Sequence, residues 1–237
     1  MRNVLRFPPF RILGFQRKLG VVSSFLTCAL CLLPSDLTQA RDQSAPPPAA
    51  ELAQLLQSHY NTVRDFTADF TQNYRGGALR QSLTERGQVR IKKPGRMDWT
   101  YTSPEKKQFV SDGSKIYSYL QADNVVQISD VPKGDQASTA VQFLIGRGDL
   151  VRDFRAALPK TQPDGAWQLD LTPKTTQADF TSLTVIVDSR TLRLLGLTST
   201  DAQDGVSTVT FTNLRENVGL ADNQFTFKMP KGVEIRR

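Results

Sequence analysis

The chain lacks most of the residue types on which exported proteins and enzymes commonly rely. Its only two cysteines, Cys28 and Cys31, fall within the first forty of 237 residues, so the remainder has neither disulfides nor thiol chemistry. Histidine occurs once, as His59, which is too little for a histidine-based metal set and reads as a surface or core-edge residue. Gly-x-Ser-x-Gly, Walker and Gly-x-Gly-x-x-Gly patterns are missing. The apolar run Gly20–Leu33 is shorter than the roughly 20 residues of a membrane helix. Strong net charge is also lacking where it would matter. Residues 1–40 hold five bases against one acid, which is +4 of the formal +7, and the +3 left for residues 41–237 argues against a nucleic-acid partner.

What the N-terminus does have is the plan of a secretory signal. Arg11, Arg17 and Lys18 precede the apolar run, and Thr38-Gln39-Ala40 places small residues at −3 and −1 of a cut after Ala40. Neither cysteine has the surroundings of a lipoprotein cleavage site, so both leave with the signal. Residues 41–48, with Pro46, Pro47 and Pro48, predict a stiff leader. Residues 49–237 then form one domain.

That domain starts helical. Leu52, Leu55, Leu56, Tyr60 and Val63 recur at helical spacing over Ala49–Val63. The period then becomes two: Phe66, Ala68, Phe70, Gln72 and Tyr74 alternate with polar residues, as do Val89 and Ile91, and Met97, Trp99 and Tyr101. Asp112-Gly113 between Phe109-Val110 and Ile116-Tyr117 predicts a hairpin. Val125–Ser129 adds a strand. Ala137–Ile145 and Leu150–Leu158 read as helical, broken by Gly146 and Gly148. Further strands are predicted at Trp167–Leu171, Leu183–Asp188, Leu192–Thr198, Val206–Phe211 and around Phe225–Phe227. The sum is an α+β domain, an antiparallel sheet of about ten strands with a few helices on one face. Periodicity leaves open whether the apolar side of that sheet is a filled core or a concave surface plugged by helices.

Chemistry is scarce. Ser103-Pro104-Glu105-Lys106 fits Ser-x-x-Lys, but it lies between strand patterns rather than at a helix start, and no Lys-Thr-Gly follows. Gly146-Arg147-Gly148-Asp149 follows a helix and lacks the strand before it that a phosphate cradle needs. Asp130 and Asp135, and the pairs around Lys92, Lys93, Arg96, Lys106 and Lys107, read as solvated loops. No metal or cofactor is expected.

Several segments, in order, resemble the LolA family of periplasmic outer-membrane lipoprotein carriers. Phe66-Thr67-Ala68-Asp69-Phe70-Thr71-Gln72 is similar to its opening strand. Ile91-Lys92-Lys93-Pro94-Gly95-Arg96-Met97-Asp98-Trp99 is similar to its basic-Pro turn, and Val110-Ser111-Asp112-Gly113 with Ile116-Tyr117-Ser118-Tyr119 to its hairpin. Leu171-Thr172-Pro173-Lys174 and Phe225-Thr226-Phe227-Lys228-Met229-Pro230-Lys231-Gly232-Val233 resemble its later elements. The resemblance implies an unclosed antiparallel β-barrel of about ten to eleven strands, with an α-helical lid over a hydrophobic cavity. It implies a non-enzymatic monomer that takes acylated lipoproteins from an inner-membrane ABC transporter to an outer-membrane acceptor. Lys93 matches the family's lid-latching arginine, and Met97 and Trp99 match cavity positions. Phe66, Phe70, Val89, Ile91, Tyr101, Leu144 and Ile145 are the expected co-liners. A related lipid- or lipoprotein-sensing regulatory module of the same fold, and an exported serine hydrolase, are the other readings weighed.

Overall fold

In a computed structural model the described residues are 45–76, 82–131, 143–176 and 180–237. The signal segment 1–40 and most of the predicted helix Ala137–Ile145, together with Asp135, lie outside them. Pro48 precedes α1 (Ala49–Thr62), where a fixed φ and a missing N–H cost nothing, and its carbonyl accepts from Leu52 N. Leu52, Ala53, Leu56 and Tyr60 form the buried stripe of α1, whereas Leu55 points outward at 40% exposure.

After α1 the chain runs through β1 (Asp65–Arg75), β2 (Ser82–Lys92), β3 (Arg96–Ser103), β4 (Lys107–Asp112), β5 (Lys115–Leu120) and β6 (Val125–Asp130). Then come one helical turn, α2 (Leu150–Asp153), and β7 (Phe154–Ala157), β8 (Ala166–Pro173), β9 (Ser182–Asp188), β10 (Leu194–Thr200) and β11 (Val206–Glu216). A 3-10 turn at Asp222–Phe225 precedes the last strand, β12 (Glu234–Arg236). All twelve strands belong to one sheet, in the order β12-β6-β5-β4-β3-β2-β1-β11-β10-β9-β8-β7. Each pairing is antiparallel except β12 with β6. The sheet curls without closing, and β7 and β12 are its two edges. The expected unclosed barrel is therefore present, with twelve strands among the described residues rather than ten or eleven.

Three element predictions need correction. Leu150–Leu158 is not one helix: Asp149 caps the single turn of α2 by accepting from Val151 N and Arg152 N, and the chain then extends into edge strand β7. Phe225–Phe227 is not a strand. Phe225 ends the 3-10 turn and is 1% exposed, while Phe227 stacks on Tyr117 at 5.2 Å between ring centroids. The true closing strand, β12, has three exposed residues and hence no apolar alternation to detect. Strand β2 extends seven residues upstream of Val89 because its inward positions there are Gly87 and Glu85, which hide the period-two signal.

The sheet has two covered faces. On the concave side α1 lies against α2, β7 and β8, and the main core runs beneath it. On the convex side the segment after β11 wraps back across β3 and β4. Asp65, 4% exposed, fastens that segment by accepting from the backbone N–H groups of Val218 (2.7 Å), Gly219 (3.1 Å) and Leu220 (3.2 Å). Lys92 donates to the Leu220 carbonyl at 2.7 Å, and Lys92 and Arg96 both reach the Asp222 carboxylate. Among the described residues, no helix is long and apolar enough to cross a membrane.

Candidate functional site

The register of β1 to β4 stacks the concave face in rows. Nearest α1, Phe66, Ile91 and Met97 stand side by side; next come Ala68, Val89, Trp99 and Phe109; then Phe70, Gly87, Tyr101 and Lys107; and last Gln72 beside Glu85. Strand pairing puts these side chains on one face because successive residues alternate sides. The third row needs a glycine. A Cβ on Gly87 would overlap the Thr100 carbonyl oxygen and lie 2.8 Å from the Phe70 ring. Phe70 fills the space so left, meeting Trp99 and Tyr101 edge-on, each at 4.9 Å.

The expected lining residues thus fall together. Phe66, Phe70, Val89, Ile91, Met97 and Tyr101 are all buried on this face, and Trp99 is half-buried against them. Leu144 and Ile145 join the same core from the helical end of the segment above it. In this conformation the side chains pack on one another. Beside α1, Leu56, His59, Tyr60 and Phe143 border a narrow crevice against Val185, Val187 and Glu216.

Lys93 leaves the end of β2 and meets the end of α1. Its ammonium donates to the Tyr60 carbonyl and sits 4.0 Å from the centre of the Tyr60 ring. Burial lowers its pKa from the ordinary lysine value of 10.5 to about 8, against the opposing pull of the Glu216 charge. The aliphatic stem of Lys93 packs where a Cβ on Gly146 would be, and Gly146 has φ +74°, a conformation that suits glycine. Two neighbours extend the contact. The Tyr60 hydroxyl donates to the Leu144 carbonyl at 2.6 Å, and the Gly95 N–H donates to the Ile145 carbonyl at 3.0 Å. Tyr60 also stacks on Phe143, with centroids 4.4 Å apart. Desolvation drives the Tyr60 phenol far up, so it remains a neutral donor at any ordinary pH. One hairpin turn therefore holds both α1 and the 143–146 segment.

Sequence reasoning missed several of these groups. Tyr60 reads from the sequence only as an apolar position of α1 and Gly95 only as part of a turn, while Glu216 carries no pattern. Lys107 was read as solvated, and the structure corrects this: it pairs with Glu85 at 2.7 Å, their side chains only 4% and 7% exposed. Lys92 and Arg96 likewise bind the C-terminal segment rather than open solvent. The inward parity of Lys107 with Phe109 was the available signal. His59 sits at the edge of the core as expected, 3.3 Å from Glu216. Ser103 ends β3 with Glu105 and Lys106 in the following turn, so the Ser-x-x-Lys residues have no helix to align them.

A family model described as the outer membrane lipoprotein carrier protein LolA matches residues 61–228. The chain belongs to this family. Within the family, an outer-membrane lipoprotein carrier protein of Cupriavidus taiwanensis is 30% identical over 196 residues, spanning 81% of this chain and 90% of that protein. A carrier protein of the same description from Nitrosomonas europaea is 28% identical over 214 residues, spanning 90% of this chain and 96% of the relative. The crystal structure of the LolA superfamily protein NE2245 from Nitrosomonas europaea is similar over 74% of this chain and 97% of its own, with 15% identity and a TM-score of 0.41.

Proposed function

We propose that this protein is a periplasmic chaperone that carries lipoproteins on its concave sheet face. The reading is that residues 1–40 export it, that acyl chains released by an inner-membrane ABC transporter occupy the rows from Phe66 to Tyr101, and that an outer-membrane acceptor receives them. Lys93 latches the lid, whose described parts are α1 and residues 143–146. The protein works as a monomer and catalyses nothing.

The observation that carries this reading is an extended apolar face whose helical cover is held by a few hydrogen bonds, most of them at the β2–β3 turn and one from the Leu150 N–H to Gln57. Burying a methylene is worth about 0.8 kcal/mol, so acyl chains do not cross an aqueous compartment unaided. A carrier must supply that burial and still release its load. On this reading the cover, held by so few bonds, is the element that moves between a closed and an open position. The relatives' names, outer-membrane lipoprotein carrier proteins, agree with such a cargo.

The test is native mass spectrometry of the mature protein purified from periplasm, with and without a co-expressed acylated lipoprotein. A one-to-one complex that vanishes when the lipoprotein lacks its acyl chains is expected. Binding of free lipid but never of acylated protein would replace this reading with a lipid-sensing module.

A further inference from the structure

The polar end of the concave face is not used by the latch. There the Tyr101 hydroxyl donates to Gln72 Oε1 at 2.7 Å, and Gln72 Nε2 donates to Ser207 Oγ at 2.9 Å. The Lys107 ammonium stands 4.3 Å from the Tyr101 ring centre while it pairs with Glu85. Burying an ion pair costs both charges their hydration, and apolar residues of similar volume often hold a fold as well, so the pair is weak evidence for a purely structural role. Its position is also specific. It abuts the aromatic row of Phe70, and the next positions on the same face, Tyr74 on β1 and Leu83 on β2, are already half-exposed close to the ends of their strands. The polar layer therefore sits just inside the rim, at the opposite end of the strands from Lys93.

We infer that Lys107, Tyr101, Gln72 and Glu85 form the subsite for the neutral ester and amide linkages that join acyl chains to a lipoprotein's N-terminal residue. This rests on the carrier reading and deepens it. A chain lying along the apolar rows brings its linkage to one end of them, and ester carbonyls that leave water need donors there. An ammonium and a phenol supply donors, and a carboxylate and an amide oxygen supply acceptors. Next to the rim, the attached polypeptide leaves directly into solvent. The pair is formally neutral, which decides the ligand's charge. A phosphate drawn to Lys107 would crowd the buried Glu85 carboxylate, whereas an uncharged ester enters the network without like-charge repulsion.

The experiment uses the whole mature protein and three probes: a diacylglyceryl-cysteine peptide, its dialkyl-ether analogue without ester carbonyls, and phosphatidylglycerol. Wild type should bind the diester about tenfold more tightly than the ether, the effect of one good charge-assisted hydrogen bond, and also more tightly than phosphatidylglycerol. The double variant Glu85→Gln with Lys107→Met should melt cooperatively and bind diester and ether alike. Tyr101→Phe, which keeps the ring and its packing, should lose part of the preference and serves if the double variant does not fold. Equal binding of diester and ether by wild type, an unchanged preference in the variants, or a preference for phosphatidylglycerol would overturn the subsite. Failure of wild type to bind any diacyl peptide would instead bring down the carrier reading beneath it.

Discussion

Lys93 stands where the family resemblance sets an arginine, and the exchange changes what can titrate. An arginine would stay charged at every accessible pH, whereas the Lys93 amine is brought to about 8 by burial. The groups around it are the Tyr60 ring and carbonyl and Glu216, with His59 on the far side of that carboxylate. In the closed form Lys93 binds fewer protons than an opened, hydrated lysine between about pH 8 and 10.5. Closure is therefore least favoured below pH 8 and strengthens as pH rises through that window, and opening takes up a proton. In a Trp167→Phe background, acrylamide quenching of Trp99 should fall as pH rises from 7 to 10. The same variant with Lys93→Met should show a flat profile. A second residue-scale prediction concerns Gly87. A methyl group there meets backbone rather than a movable side chain, so Gly87→Ala should cost about 2–3 kcal/mol in urea unfolding. Val89→Ala in the next row removes volume instead, and its cost should scale with the cavity it leaves.

At the scale of elements, alternation revealed most strands because their inward residues are large and apolar. It failed where an inward residue does something other than fill space. Gly87 yields to Phe70 and Glu85 holds Lys107, so the first half of β2 was invisible although its second half was plain. The Asp112-Gly113 hairpin was legible because its chemistry is local: the Asp112 carboxylate accepts from Ser114 N and Lys115 N, each at 2.8 Å. The C-terminal segment was not, because its anchor is Asp65, more than 150 residues upstream. The inward-facing residues of β1 to β3 were legible by parity, whereas the contacts of Lys93 with α1 required knowing how the helix lies on the sheet. That anchor makes a prediction about order of release. Removing a carboxylate that accepts three backbone bonds should cost about 2–4 kcal/mol, so Asp65→Ala lowers the melting temperature. Hydrogen exchange should show Val218–Leu220 losing protection while β1 and β2 keep theirs. Uniform loss across the sheet would mean that the segment is part of one cooperative unit with it.

For the whole molecule the issue is how a cover can be both closed and openable. The buried stripe of α1 favours closure through ordinary apolar burial, which no single contact controls. The bonds of Lys93 to Tyr60, Tyr60 to Leu144 and Gly95 to Ile145 add direction and a fixed register, each contributing about 1 kcal/mol net. Acyl chains entering the apolar rows would take over the burial that the lid supplies but cannot reproduce these three bonds. On the carrier reading proposed above, the bonds would set the difference between empty-closed and loaded-open states, and a difference of a few kcal/mol is enough to move such an equilibrium most of the way. Weakening two of them at once loosens the lid, because one bond ties α1 to the β2–β3 turn and the other ties α1 to the 143–146 segment. Lys93→Met with Tyr60→Phe should shift the lid equilibrium toward the open form about tenfold, which corresponds to about 1.4 kcal/mol, and raise acrylamide quenching of Trp99 in the Trp167→Phe background. The sheet's own cooperative unfolding should shift by no more than a few degrees, because its strand pairing and aromatic rows are untouched. Loading should then become faster and release slower, since the closed competitor of the loaded state has been destabilised. If the double variant instead lost its cooperative transition together with the Trp99 change, α1 would be a permanent part of the core, and cargo would have to enter without moving it.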